Sequence, residues 1–275
     1  MNWGRFLLRL MLILALTVLT QTGGLVYLAS WPLRIWPGKR IRMPLARRVW
    51  NLTAFLLLYL LTSLLIVPLA APLAGRVPLP ILERGHVEPL RAYTWLCNRH
   101  YVRPVLRDAV LGVAARLNNQ YPGTQLYYLD AGFPFFDGFP LLPHLRHDDG
   151  RKLDLAFCYL DVRTGRPAAG SPALLGYGVC EEPRTGETHT ARACAEAGHW
   201  QYSLLGRMLP AWRKQAFQFD PERTAALVSH FAAHPDIGKI FLEPHLRTRM
   251  RLSSDKVRFH GCRAVRHDDH LHVQL

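Results

Sequence analysis

The chain has 275 residues, 49% of them hydrophobic, and its 34 Lys and Arg outnumber its 20 Asp and Glu, which gives a net charge of +14. Nine of the basic residues and none of the acidic ones lie in residues 1–80, which leaves a net charge of +5 for residues 81–275. No stretch interleaves aromatic and basic side chains as nucleic-acid-binding surfaces do, so we expect no nucleic acid partner. The apolar residues are also unevenly spread, which argues against a single soluble domain.

Two uncharged apolar runs, at about residues 10–33 and 50–74, occupy most of the first 78 residues. Each run exceeds the roughly 20 residues that a helix needs to cross the hydrocarbon core of a bilayer. The runs predict a membrane anchor, residues 1–78, with two transmembrane helices.

The segment between the two runs carries six basic residues and no acidic one, against two basic residues before the first run. Because positively charged loops remain in the cytoplasm, we expect this segment inside and both chain termini outside. An alternative interpretation makes the first run a cleaved signal peptide. We rank it lower, because cleavage would leave the basic loop outside and the run is longer than a typical signal core.

A proline-rich stretch without regular period follows the second run. Residues 76–88 predict a linker that lifts the next domain off the bilayer, so we assign residues 79–103 to a linker and lead-in and residues 104–275 to the domain. Apolar residues at helical spacing predict a helix from Pro104 to Asn118, and residues 126–129 predict a short strand.

The stretch Lys152–Leu160 alternates well enough to predict a strand, with Asp154 on the face opposite its apolar residues. Residues 163–218 are irregular apart from an amphipathic helix expected at about residues 199–209, and we assign no binding residue there. Asp220 and Pro221 predict the capped start of a further helix. Three elements complete the predicted domain, namely a strand at residues 239–242, a short helix at 244–251 and a last strand at 269–275.

Four residues suggest a metal site. Alternation along an extended strand places His270 and His272 on one polar face. Earlier in the chain, His147 and Asp154 are separated by six residues and add a nitrogen and an oxygen donor. Two His and one carboxylate are a common ligand set for catalytic zinc, because the fourth position stays open for water. Taken alone, a His-x-His pair is more often a surface strand or a satisfied polar pair.

This spacing, His, six residues, Asp, and later His-x-His, resembles the zinc peptidase family that includes lysostaphin, the D-alanyl-D-alanine metallopeptidases and hedgehog. The closest resemblance is to the penicillin-insensitive murein endopeptidases and covers roughly residues 107–160 and 216–275. The stretches that match in order are Asp130–Pro134, Pro143–His144, His147–Gly150, Asp220–Arg223, Lys239–Leu242 and His267–Val273. The chain departs from that pattern at Arg146, Lys152 and Gln274, which bears on substrate choice more than on metal binding.

The resemblance implies an α+β domain, hedgehog-like or D-Ala-D-Ala-peptidase-like, with a central, mostly antiparallel sheet. It also implies that Zn²⁺ is held by three protein ligands, His147, Asp154 and His272. His270 is then the general base, and His267 stabilises the oxyanion or orients that base.

Two acidic residues lie beside these histidines. Asp268 and Asp269 are expected either to fix the imidazole tautomers or simply to form a turn.

Joined to the predicted topology, the resemblance implies a membrane-anchored zinc peptidase of the bacterial inner membrane. Its domain would face the periplasm and hydrolyse a stem or cross-link peptide bond of peptidoglycan, so the expected partners are peptidoglycan and the lipid bilayer. The alternative is a catalytically silent module that keeps zinc for folding and binds or senses the cell wall. The presence of His270 and His267 favours the enzyme, since a structural zinc site more usually has four protein ligands.

Five cysteines in an oxidising compartment are not all expected to be free. Cys180 and Cys194 enclose a short loop that contains Gly and Pro, so we predict a disulfide between them. Cys97 and Cys262 are a weaker second pair, which would leave Cys158 buried on its strand.

Overall fold

The computed structural model describes residues 3–38, 40–142, 146–204, 211 and 213–275. A helical N-terminal unit precedes a mixed α/β domain. The helices of the first unit are α1 (Trp3–Thr20), α2 (Gly23–Ala29), α3 (Trp31–Gly38) and α4 (Pro44–Ala74), the last with a π-helical turn at Thr62–Ile66. By length and composition, α1 and α4 are each able to cross a membrane.

The sequence predicts that the first apolar run forms one transmembrane helix, and this prediction is wrong. The chain reverses direction within the run. Gln21 adopts a positive φ of 64° after α1, and the Thr20 hydroxyl accepts a hydrogen bond from the Gly23 backbone. Gly24 then packs so closely on α1 that a Cβ atom there would lie 2.8 Å from the Ile13 carbonyl oxygen. The turn is made of uncharged residues such as threonine and glycine. A search for long uncharged runs therefore passes through it without a break.

After the turn, α2 and α3 run back between α1 and α4. The Arg9 guanidinium lies 4.9 Å from the centre of the Trp31 ring, and the rings of Tyr27 and Phe55 are 5.7 Å apart. The start of α1 therefore lies at the same end of the unit as the basic connection between α3 and α4. Because the return through α2 and α3 reverses the chain once more, the positive-inside rule now predicts a cytoplasmic N-terminus, whereas the sequence alone predicts both termini outside. The orientation stays a prediction.

A topology experiment tests this arrangement. If the basic end of the unit faces the cytoplasm, the N-terminus is cytoplasmic and Leu275 is extracytoplasmic. Reporter enzymes that work only outside the cytoplasm should be active after Leu275 and inactive at the N-terminus or within residues 40–43. An active N-terminal fusion would contradict the helical arrangement, and an inactive fusion at Leu275 would contradict the orientation.

The strands of the domain are short. In chain order the described residues form β1 (Val77–Pro78), β2 (Val87–Pro89), β3 (Tyr101–Val102), β4 (Leu126–Tyr128), β5 (Lys152–Ala156), β6 (Tyr159–Asp161), β7 (Phe217–Phe219), β8 (Lys239–Phe241), β9 (Val257–Arg258) and β10 (His270–Gln274). The main sheet has the order β2-β4-β5-β10-β8-β9. Its three central pairs are antiparallel, as expected, and the pairs at its two edges are parallel.

Helices complete the domain. They are α5 (Ala92–Leu96), α6 (Pro104–Gln120), α7 (Thr190–Glu196), α8 (Pro221–Ala233) and α9 (Pro244–Arg249). α6 and α8 share the core of the sheet through side chains such as Leu106 and Phe231, neither of which is exposed. The predicted start of α8 is confirmed, because the Asp220 side chain accepts a hydrogen bond from the backbone N–H of Arg223 at 3.0 Å.

Two predicted elements differ from the structure. The strand expected at residues 152–160 divides into β5 and β6, because β6 leaves the main sheet and pairs with β7. The helix expected at residues 199–209 is described only as far as residue 204, where it contains a 3-10 turn at Trp200–Ser203, and residues 205–209 lie outside the described residues.

One disulfide joins Cys194 to Cys262. The predicted bridge between Cys180 and Cys194 is therefore wrong, and so is the weaker pair of Cys97 with Cys262. The physical reason is that α7 buries Cys194 in a small apolar cluster with Tyr202, against which Cys262 packs. Cys97, Cys158 and Cys180 are free thiols, and Cys158 is buried as expected.

The proline-rich segment after α4 is folded onto the domain and does not act as a linker. Arg76, two residues beyond α4, is completely buried. Its guanidinium donates to the carbonyl oxygens of Phe133 at 2.6 Å and Asp148 at 3.1 Å, and it pairs with the Asp137 carboxylate. The end of α4 is thereby fixed to the loop between β4 and β5, which carries His147.

Replacing Arg76 by Leu should lower the free energy of unfolding by about 3 kcal/mol, because two carbonyl groups and a carboxylate lose a buried cationic partner. Thermal unfolding of the full chain in detergent measures the effect. The control Arg163→Leu removes an exposed guanidinium and should change the melting temperature little. Equal melting temperatures for the two variants would show that Arg76 does not anchor the loop.

Candidate metal centre

The centre of the sheet brings two of the predicted ligands together. β5 and β10 pair in antiparallel register, and His272 lies directly opposite Asp154. Directly opposite residues in such a pair project to the same face of a sheet, so the imidazole and the carboxylate share one face. The Nδ1 atom of His272 is 2.8 Å from the Asp154 Oδ1 atom.

The third predicted ligand comes from the loop before β5. The Nδ1 atom of His147 lies 2.9 Å from the Ala131 carbonyl oxygen, to which it donates, and this bond directs the Nε2 atom toward His272 and Asp154. Gly150 ends the loop with a positive φ of 69°, and a Cβ atom there would lie 3.1 Å from the Arg76 Nε atom. Glycine is needed at this position because a side chain would be strained and would crowd that guanidinium.

The donor atoms of these residues converge on one point. His147 Nε2 lies 3.2 Å from His272 Nδ1 and 3.3 Å from Asp154 Oδ1. Metal–ligand bonds of about 2.0 to 2.2 Å in a tetrahedral site place ligand atoms about 3.4 Å apart, close to the two separations from His147 and longer than the 2.8 Å between His272 and Asp154. The three side chains are buried and could hold a metal ion, as the sequence predicts.

Protonation does not compete strongly with a metal at neutral pH. Burial lowers the pKa of His272 to about 4, although the hydrogen bond to Asp154 opposes that shift. The imidazole is therefore neutral at pH 7, and its lone pair is available to a cation. A buried carboxylate beside two imidazoles is a donor set that suits a divalent ion.

His270 lies beside this cluster and is held by Asp269. Its Nδ1 atom is 2.5 Å from the Asp269 Oδ1 atom, while its Nε2 atom lies 3.7 Å from Asp154 Oδ1. The second oxygen of Asp269 accepts a hydrogen bond from the Gly178 backbone at 2.5 Å. Asp269 thus fixes the tautomer of His270 and leaves Nε2 facing the site, which is one of the two expected roles of the acid pair.

Asp268 has a different role from its neighbour. Its carboxylate is buried and accepts hydrogen bonds from the Arg266 guanidinium at 2.9 and 2.5 Å. It therefore forms an ion pair with Arg266, and these bonds do not involve the predicted ligands.

His267 also lies in this group. Its ring centre is 5.0 Å from that of His270 and 5.7 Å from that of His272. Burial, together with the two neighbouring imidazoles, lowers the pKa of His267 well below its usual value. It is therefore a neutral imidazole, able to donate one N–H group.

The sequence does not reveal one residue of the site, Tyr177. It lies within residues 163–218, for which we predict no binding role, yet its hydroxyl donates to the Asp154 Oδ2 atom at 2.9 Å. The hydroxyl is also 3.2 Å from Asp130 Oδ2, which pairs with Arg99. The only local signal is the pair of flanking glycines, both of which have a positive φ.

The face of β8 completes the wall of the site. The Phe241 ring stacks on the half-buried ring of His260 at 4.0 Å and lies 5.2 Å from that of His272. Phe241 is directly opposite His272 in the pairing of β8 with β10, so the aromatic contact follows from the register.

Three residues that depart from the endopeptidase pattern lie at the edge of the site. Arg146 is exposed, and the Lys152 ammonium pairs with Asp149 at 2.9 Å. Lys152 lies directly opposite Gln274 in the pairing of β5 with β10. The matching dipeptide Pro143–His144 lies outside the described residues.

Comparison with known protein families finds none that matches this chain, and comparison with curated proteins finds no significantly similar sequence. The arrangement of the side chains themselves therefore carries the functional argument.

The two histidines of β10 should differ in their effect on metal binding. Replacing His272 by Ala removes a ligand atom. Loss of a residue that only hydrogen-bonds a ligand weakens metal binding by up to about 100-fold, so loss of the ligand itself should weaken zinc binding by more than that. Replacing His270 by Ala should leave metal content unchanged, because its Nε2 atom faces Asp154 from outside the three converging donors. Elemental analysis and chelator competition measure both effects.

The control for these variants is His230→Ala on α8, which should bind metal like the wild type. Loss of zinc from His270→Ala as complete as from His272→Ala would assign His270 to the ligand set and contradict the division of roles between the two histidines.

Proposed function

We propose that this protein is a membrane-anchored zinc peptidase that hydrolyses a peptide bond of peptidoglycan. The observation that carries the proposal is the pair of His270 and Asp269 beside the three converging donors. Three ligands alone suit either a structural or a catalytic ion. An additional imidazole, oriented by a carboxylate and not needed as a ligand, is what general base catalysis requires.

Zinc is the metal that best suits this donor set. Two imidazoles and one carboxylate form a common catalytic zinc site with a fourth position left open. No fourth His, Cys, Asp or Glu joins the group among the described residues, which supports a catalytic ion over a structural one. Zinc bound there would polarise a carbonyl oxygen and activate water at neutral pH.

The residues of the chain divide the remaining work. His270 takes a proton from the attacking water at its Nε2 atom. Asp269 accepts the Nδ1–H hydrogen bond and stabilises the imidazolium that forms. The same imidazolium then returns a proton to the leaving amine. His267 donates an N–H to the oxygen that becomes negatively charged, and a neutral imidazole serves this purpose without carrying a charge of its own. Tyr177 holds the second oxygen of Asp154 and so fixes that carboxylate.

The substrate class follows from the resemblance and the topology together. The domain is fixed to α4 at the end of the helical unit opposite the basic connection, so the positive-inside rule favours a position on the outer side of the bacterial inner membrane. Peptidoglycan is the peptide polymer within reach of a domain in the periplasm. A net charge of +5 on residues 81–275 suits that anionic layer.

Digestion of purified peptidoglycan sacculi tests the activity. The full chain, purified in detergent with zinc, should release muropeptides whose masses identify the cleaved bond. Replacing His270 by Ala should lower the rate by a factor of about 100 to 10,000, because the general base is lost while the metal remains. Asp269→Asn should lower it too, because an amide no longer stabilises the imidazolium.

The control is again His230→Ala, with wild-type activity expected. If zinc-loaded wild-type protein bound sacculi and released no muropeptide, the silent wall-binding module would be the better description. Equal release by the wild type and by His270→Ala would contradict the mechanism.

A further inference from the structure

A cavity of about 480 Å³ lies between the last turns of α4 and the domain, away from the metal centre. Its wall on the membrane side is formed by Ser63, Leu64 and Pro68. The domain contributes three nitrogen-bearing side chains, those of Arg84, His100 and Arg107. The proposed peptidase function uses none of these residues.

The position of α4 in the bilayer determines the level at which this cavity lies relative to the membrane. The helix has 31 residues and is therefore about 46 Å long, whereas the hydrocarbon core of a bilayer is about 30 Å thick. Counting about 20 residues from Arg48, the last basic residue before the apolar run, places Pro68 at the outer boundary of that core. The cavity thus opens at the level of the lipid headgroups.

The ionisable side chains that line the cavity are three basic groups and one carboxylate, Asp108, and they make few contacts with other described residues. Arg84 is exposed, and its guanidinium makes no hydrogen bond or ion pair with the described residues. Among the described residues the Arg107 guanidinium pairs only with the neighbouring Asp108, at 3.3 Å, and that carboxylate is 67% exposed and also lines the cavity. His100 is 3% exposed, and its buried Nδ1 atom has no hydrogen-bond partner among the described residues. The Arg84 guanidinium, the Arg107 guanidinium paired with an exposed carboxylate, and the unpartnered imidazole nitrogen are together suited to a phosphate group.

An apolar surface leads out of the cavity along α4. Leu64 lines the cavity, and Leu65, Ile66 and Leu69 beside it are 57%, 54% and 81% exposed. Exposed apolar residues on a transmembrane helix face lipid chains. A ligand with an apolar tail would therefore extend from the cavity into the bilayer, whereas a free phosphate ion would leave the apolar wall uncovered.

We propose that this cavity binds the phosphate headgroup of an anionic membrane lipid, with Arg84 and Arg107 contacting the phosphate and the acyl chains lying along α4. The site would hold the domain at a fixed height on the membrane surface. This inference does not depend on the proposed peptidase activity.

The test uses the full chain in detergent, titrated with phosphatidylglycerol and followed by native mass spectrometry. One phosphatidylglycerol per chain should be retained in preference to phosphatidylcholine. A guanidinium near a membrane surface contributes about a fivefold gain in affinity for anionic lipid, so the double variant Arg84→Gln with Arg107→Gln should bind about thirtyfold more weakly.

The matched control is Arg116→Gln, which removes an exposed guanidinium of α6 that does not line the cavity and should leave retention unchanged. If the double variant does not fold, each single variant should show its own fivefold loss. Equal retention of phosphatidylglycerol by wild type and variants, or of phosphatidylcholine by the wild type, would overturn the proposal. Displacement by equimolar inorganic phosphate would also overturn it, because it would identify a site for the free ion.

Discussion

The antiparallel pairing of β5 with β10 is the constraint on which the site depends. Its register places Asp154 opposite His272, and a shift of one residue would turn one of them to the other face of the sheet. Leu155 and Leu271, which are opposite each other in the same pairing, are completely buried and hold that register. The hydrophobic pattern of the two strands therefore determines the position of the metal ligands. Asp154 and His272 are 118 residues apart along the chain, so they meet only when β5 and β10 have paired.

The buried charge of Asp154 explains why so many polar groups gather around it. A carboxylate that is 1% exposed is costly unless every oxygen has a partner. Tyr177 donates to one oxygen, and the other lies 2.8 Å from His272 Nδ1 and 3.3 Å from His147 Nε2. A cation between these donor atoms would be attracted to all three ligands. Metal binding and stability of the sheet are thus expected to be coupled.

Local signals in the sequence were sufficient for elements whose ends are determined by nearby residues. Pro104 at the start of α6 and the Asp220 cap of α8 are examples, and the alternation that places His270 and His272 on one face is confirmed by the strand register. The convergence of His147, Asp154 and His272 is also confirmed.

Features that depend on contacts between residues far apart in the chain are not predicted from the sequence. Tyr177 reaches Asp154 through a glycine-flanked turn, and the partner of Cys194 is 68 residues away along the chain. The reversal at Gln21 depends on a close approach of Gly24 to α1, which hydropathy does not record.

X-ray absorption spectroscopy at the zinc edge tests whether His147, Asp154 and His272 bind zinc, because it reports the atoms that bind the ion whether or not the protein is active. We expect about one zinc per chain, two imidazole ligands and further oxygen ligands, with nitrogen and oxygen at about 2.0 to 2.2 Å and no sulfur. His147→Ala should lose one imidazole contribution or the metal itself. A sulfur ligand at about 2.3 Å, from Cys158 or Cys180, or a spectrum unchanged in His147→Ala, would contradict the assignment.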